Sequence, residues 1–128
     1  TIETYGARGD KALHVSFNGE RVRFQHVFQY LFLDAGSYRL QGRARTDSFK
    51  TERGLRWRMR CVGASALLAE SEPFVGSDEW RKFAVDFTIP SQGCPVQLLR
   101  LELDGRVELD FEAQGGVWFD DLAIIHQS

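Results

Sequence analysis

Gly115-Gly116-Val117-Trp118-Phe119-Asp120-Asp121-Leu122-Ala123-Ile124-Ile125 is the stretch whose reading decides the fold. Its aromatic and β-branched residues suit a pleated, half-buried strand, which the glycine pair opens. Two adjacent carboxylates interrupt it. Charges brought that close to a core need a bound cation or a network of hydrogen-bond donors.

Working outward, alternation with period two recurs along most of the chain, broken by Gly, Asn, Asp, Ser and Pro clusters, and helical periodicity is nearly absent. Leu13, Val15 and Phe17 share one face of a first strand, after an irregular entry over residues 1–10 and before a turn at Asn18-Gly19. Residues 21–33 predict two strands or one bent strand. Tyr38, Leu40, Gly42 and Ala44 alternate with Arg39, Gln41, Arg43 and Arg45; a polar loop follows over 46–52. Leu55, Trp57, Met59 and Cys61 then alternate with Arg56, Arg58 and Arg60. These two strands are expected to form a hairpin, with Gly42 and Ala44 leaving room for Trp57.

Further on, Phe83, Val85, Phe87 and Ile89 face inward on a strand that Trp80 opens and Pro90 closes. Leu99, Leu101 and Leu103 oppose Arg100, Glu102 and Asp104, and Val107 to Phe111 resumes the alternation after a turn at Asp104-Gly105. About nine strands of this kind predict an all-β chain folded as a two-sheet antiparallel β-sandwich.

The totals exclude several function classes. A length of 128 residues and 43% hydrophobic composition suit one domain with a real core, 1–128, and the start at Thr1-Ile2-Glu3 suggests a module of a larger protein. Sixteen basic and eighteen acidic residues argue against a general nucleic-acid or membrane-surface binder. Apolar runs of a few residues give no membrane span. Cys61 and Cys94 either form one bridge, which would favour an extracellular or periplasmic location, or remain two buried thiols. His14, His26 and His126 fall in unrelated positions, and no zinc-protease, redox, nucleophile-elbow or phosphate-loop motif is present. Catalysis is not expected.

Three places resemble the β-jelly-roll carbohydrate-binding modules of the galactose-binding-like superfamily, of the type attached to xylanases and cellulases. They are residues 29–45, QYLFLDAGSYRLQGRAR; Trp80-Arg81-Lys82-Phe83 with Phe87-Thr88-Ile89-Pro90; and Val117 to Leu122. The resemblance implies a jelly roll and a structural calcium held by Asp120, with Asp121 possible and Glu3 and the Gly9-Asp10 region as weaker ligands. Calcium takes six to eight oxygens, so the pair cannot suffice alone. The alternative is that both carboxylates bond backbone amides or arginines.

As an expected hairpin, the two arginine strands would gather Arg39, Arg43, Arg45, Arg56, Arg58 and Arg60 on one outer face. Like charges facing one another on a sheet are unfavourable unless neutralised. Either Asp86, Glu102, Asp104, Glu108 or Asp110 interleaves with them as a salt-bridge lattice, or the face stays open for an acidic or densely hydroxylated glycan. Gln41 would add amide hydrogen bonds, and Tyr30, Phe49 or Trp80 the stacking, Phe49 from a hairpin tip or else folded back onto the sandwich. Trp57 is expected in the core. The expected function is a non-catalytic module recognising a polysaccharide or acidic glycan; the alternative is a structural or protein-interaction domain of a larger surface or polysaccharide-handling protein, with the arginines internally paired.

Overall fold

The alternating segments fold as strands of two facing sheets in the computed structural model, which describes residues 2–5, 12–21, 27–51, 53–103 and 112–127. Nine strands form among them: β1 (Ile2–Tyr5), β2 (Ala12–Arg21), β3 (Phe28–Leu31), β4 (Gly36–Lys50), β5 (Leu55–Cys61), β6 (Leu67–Glu70), β7 (Gly76–Ile89), β8 (Gln97–Leu103) and β9 (Glu112–Gln127). All pairs are antiparallel, in a five-stranded sheet ordered β1-β2-β9-β4-β7 and a four-stranded sheet ordered β3-β8-β5-β6.

The core lies between the sheets. Leu40 and Ala44 of β4, Phe83 and Phe87 of β7, and Val117 and Phe119 of β9 pack toward Leu55, Trp57 and Met59 of β5 and Leu101 and Leu103 of β8. Each Val, Leu, Phe or Met side chain among them contributes about 1.5–3 kcal/mol by leaving water. The Trp57 indole meets Phe119 edge-on at 5.3 Å, so this tryptophan is a core residue, as its alternation predicts. Cys61 and Cys94 are joined in a disulfide with a Cα–Cα distance of 5.1 Å. Beside it the fully buried Gln97 donates from Nε2 to the Cys94 carbonyl at 2.8 Å, and its Oε1 accepts from the Leu33 amide at 2.8 Å.

The hairpin expected from the two arginine strands is not formed. β4 pairs with β7 and β9, β5 pairs with β6 and β8, and the short link between them carries the chain from one sheet to the other. Their apolar faces meet across the core, so their arginines point to opposite exteriors of the sandwich. The space at Gly42 is taken by Leu122 and Phe83 rather than Trp57: a Cβ there would lie 2.8 Å from Leu122 Cδ2 and 3.1 Å from Phe83 Cε1.

Four further expectations change. The entry contains β1, paired to β2, and Asn18-Gly19 lies within β2 at a register shift rather than in a turn. The expected loop over 46–52 is mostly strand, because β4 runs on to Lys50. Thr46 accepts the Asp78 amide at 2.9 Å on its hydroxyl. Register shifts past Thr46 on one side and Asp47 on the other turn Phe49 inward, where it is 0% exposed and packs on Phe17 at 5.4 Å. Phe49 is therefore not a rim contact. The expected turn at Asp104-Gly105, the strand over 107–111, Gly9, Asp10, His26, Asp104, Glu108 and Asp110 lie outside the described residues.

Candidate functional site

Each sheet presents one arginine row to the exterior, and the two rows have different neighbours. On the four-stranded sheet, β8 sets Glu102 across from Arg56 and Arg100 across from Arg58. Glu102, 8% exposed, accepts from Arg100 Nε at 2.7 Å, Arg60 Nη1 at 2.8 Å and Arg58 Nη1 at 3.3 Å. Glu70 on β6 takes Arg58 Nε at 2.7 Å, and Arg56 Nη1 donates to the Ser71 carbonyl at 3.0 Å. Burial pushes the Glu102 carboxyl up, but hydrogen bonds from Arg100 and Arg60, with their charges, more than reverse this and hold it below its ordinary value. This is the salt-bridge lattice.

On the five-stranded sheet the pairing is sparser. Arg39 holds Asp86 through Nε at 2.7 Å and Nη2 at 3.3 Å, and that hydrogen-bonded contact lowers the Asp86 carboxyl and raises the guanidinium. Arg45 lies 3.9 Å from Glu79 and spreads over the Trp118 ring at 4.6 Å. His14 covers the other side of that indole at 4.2 Å, so Trp118 offers no open ring face. Arg43 is directly opposite Lys82, a like-charge arrangement that sheets disfavour. Its nearest carboxylate is Asp121, with Nη1 to Oδ2 at 3.7 Å, and Nη1 is buried without a hydrogen bond. Lys82 makes no ion pair among the described residues.

Between these groups runs a groove of about 460 Å³, lined by Arg39, Gln41, Arg43, Lys82, Ala84 and Asp121. Its floor is uncharged and small at Gly42 and Ala84 and carries an amide at Gln41, so a polar chain can lie against the sheet. Trp80 stands at the Arg43 end, its ring centroid 5.4 Å from the guanidinium carbon and its surface half-buried, so it remains a stacking candidate.

The predicted site residues thus divide. Arg39, Gln41, Arg43, Arg45 and Trp80 come together on the five-stranded sheet. Arg56, Arg58 and Arg60 lie on the far side with Tyr30, whose neighbours Phe28 and Phe32 are also exposed. Lys82 alternates with the inward Phe83 and Val85 and so falls on the outer face, but nothing in the sequence places it opposite Arg43.

The carboxylates of the opening stretch have a local explanation. Between Gln41 and Arg43 the register to β9 skips one residue, a β-bulge in which Asp121 adopts φ 55°. Asp120, 8% exposed, accepts the Asp121 amide on Oδ1 at 2.9 Å, while Asp121 turns toward Arg43. Glu3 belongs to β1, two strands or roughly 10 Å from β9. Among the described residues no three His, Cys, Asp or Glu side chains form a group that could hold a metal, and the Gly9-Asp10 region of the expected calcium set lies outside those residues.

No family model matches the chain, and no curated protein matches it. Solved structures do. A structure described as "CBM4 structure and function" superposes with a TM-score of 0.69 at 16% identity, over 99% of this chain and 77% of that one. The Clostridium thermocellum xylanase 10B fragment of CBM22-1 and GH10 modules, complexed with xylohexaose, gives 0.61 at 15% identity, over 99% of this chain and 25% of that one. The chain described as "a putative sugar binding protein from Bacteroides thetaiotaomicron VPI-5482" gives 0.62 at 10% identity, over 99% and 82%. At such identities the likeness is one of fold. The chain has the two-sheet β-sandwich fold found in carbohydrate-binding modules.

Proposed function

We propose that the chain is a non-catalytic module that binds a polysaccharide in the groove over Gln41 and Arg43. The observation that carries this reading is the contrast between the two arginine faces. The Glu102 lattice uses up its cations, whereas the groove combines donors without full partners, an uncharged floor and an aromatic ring at one end. Guanidinium and amide groups suit the dense hydroxyls of a sugar chain, and Trp80 supplies a ring face for a pyranose. The fold shared with carbohydrate-binding modules supports the same reading, as does the Cys61–Cys94 disulfide for a module exported to the periplasm or cell exterior within a larger protein. Among the described residues no helix is long and apolar enough to cross a membrane.

A glycan-array screen tests the site. Binding is expected for the native protein, reduced at least about tenfold, or ~1.4 kcal/mol, by Arg43→Ala and retained by Tyr30→Ala. The reverse pattern would move the site to the four-stranded sheet, and a blank array with a folded sample would remove glycan binding altogether. One observation favours the second reading, contact with a neighbouring protein domain: Phe28, Tyr30 and Phe32 are 54%, 53% and 75% exposed at one edge. In that case Tyr30→Ala weakens an assembly and leaves the array unchanged.

A further inference from the structure

We infer that Arg43 and Lys82 form an oxyanion subsite, and that the ligand of the groove is an acidic glycan carrying carboxylate or sulfate groups; the inference rests on the glycan-binding reading above. Two cations directly across a strand pair destabilise a sheet unless an anion lies between them. Elsewhere the protein meets this condition at close range. Arg58 and Arg100 face each other in the same way and are bridged by Glu102, at 3.3 Å and 2.7 Å.

Arg43 and Lys82 have no such bridge. Asp121 stops at 3.7 Å from Arg43 Nη1, and that nitrogen, shielded from water, makes no hydrogen bond. The buried Nη1 is out of a ligand's reach, but the Arg43 side chain is 18% exposed, and its outward guanidinium edge can give a ligand oxyanion a short charge-assisted bond while Lys82 supplies a second positive contact. At the other end of the groove Arg39 is already held by both oxygens of Asp86. The anionic substituent therefore belongs at the Arg43 end, and hydroxyl groups belong over Gln41 and the Arg39–Asp86 pair. Asp121 competes for the same guanidinium and repels an incoming anion, so it limits affinity.

The test is calorimetric titration of the full chain with three hexasaccharides: hexagalacturonate for carboxylate, a κ-carrageenan hexamer for sulfate, and xylohexaose as the neutral control. At least one acidic oligomer is expected to bind about tenfold or more tighter than xylohexaose, the margin shrinking as salt is raised. Lys82→Gln, a change at an exposed side chain, reduces acidic binding about three- to tenfold and weakens neutral binding by less than it weakens acidic binding. Asp121→Asn raises acidic affinity about threefold. Asparagine tolerates the positive φ of this position, so the bulge is kept. Preference for the carboxylate or the sulfate oligomer identifies the source. If xylohexaose binds as tightly as both acidic oligomers and Lys82→Gln changes nothing, the oxyanion subsite is refuted while the glycan site stands. If the folded protein binds none of the three and its array is blank, both fall.

Discussion

On the four-stranded sheet Glu102 gathers Arg58, Arg60 and Arg100 within 3.3 Å, whereas on the five-stranded sheet Arg43 comes no nearer than 3.7 Å to Asp121 and faces Lys82. In sequence the two rows look alike, with arginine, and once Gln41, at every second position outside an apolar face. The neighbouring strand separates them. β8 sets a carboxylate among the arginines of β5, and β7 sets a lysine across from Arg43. Arginine density says little about binding; the register of the adjacent strand decides whether the charges hold the sheet together or remain for a ligand.

The largest expected effect breaks the supported side of this comparison. Replacing both cysteines, Cys61→Ser with Cys94→Ser, opens a cross-link spanning 33 residues that ties β5 to the segment leading into β8. It should lower stability by about 3 kcal/mol in urea unfolding. A loss below about 1 kcal/mol would show that the lattice and core hold that sheet without it.

Glu102→Leu comes next. It leaves three partly buried guanidinium groups without their shared anion, and about 2 kcal/mol of destabilisation is expected, reduced from the figure for fully buried pairs because the arginines are 15–25% exposed. Acid should narrow the gap between this variant and the native protein. The Glu102 carboxyl lies lower when folded than when unfolded, so its contribution is complete above the unfolded value and is lost as pH falls through the folded one, below roughly pH 4. A gap that stays constant down to pH 2 would remove Glu102 from the centre of the lattice.

The smallest effect concerns the other sheet. Chelation with EDTA should leave the melting temperature within about 1 °C, because Asp120 is engaged by the Asp121 amide and no third carboxylate joins them among the described residues. A fall of several degrees would show the calcium that the family resemblance implies and reassign Asp121.

Inward and outward positions were legible along the regular strands. Period-two alternation placed Leu40, Trp57, Phe83 and Leu101 inside and every arginine of the two rows outside, and the structure agrees. Sheet membership was not legible. Alternation is the same whichever sheet a strand joins, and a link of four residues fits a hairpin as well as a crossing. Phe49 was misplaced because Thr46, Asp47 and Ser48 look like a loop, whereas two register shifts carry a strand through them. The groove followed the same pattern. Gln41 and Arg43 were readable as exposed, but their meeting with Lys82 and Asp121 depends on pairings between distant segments. Such pairings leave no local trace.

The stretch from Gly115 to Ile125 lies in β9, which occupies the middle of its sheet between β2 and β4. Phe119 pairs with Leu13 on one side and Ala44 on the other, so very long loops must close before either ladder is rewarded. Folding should accordingly be slow, on the order of milliseconds to seconds. Until the last of the nine strands arrives, β1-β2 and β4-β7 are separate ribbons with unprotected edges. The wall that Asp121 gives the groove is therefore among the last parts of the molecule to be made, and a chain that ends at β8 holds only the β4 and β7 side of it.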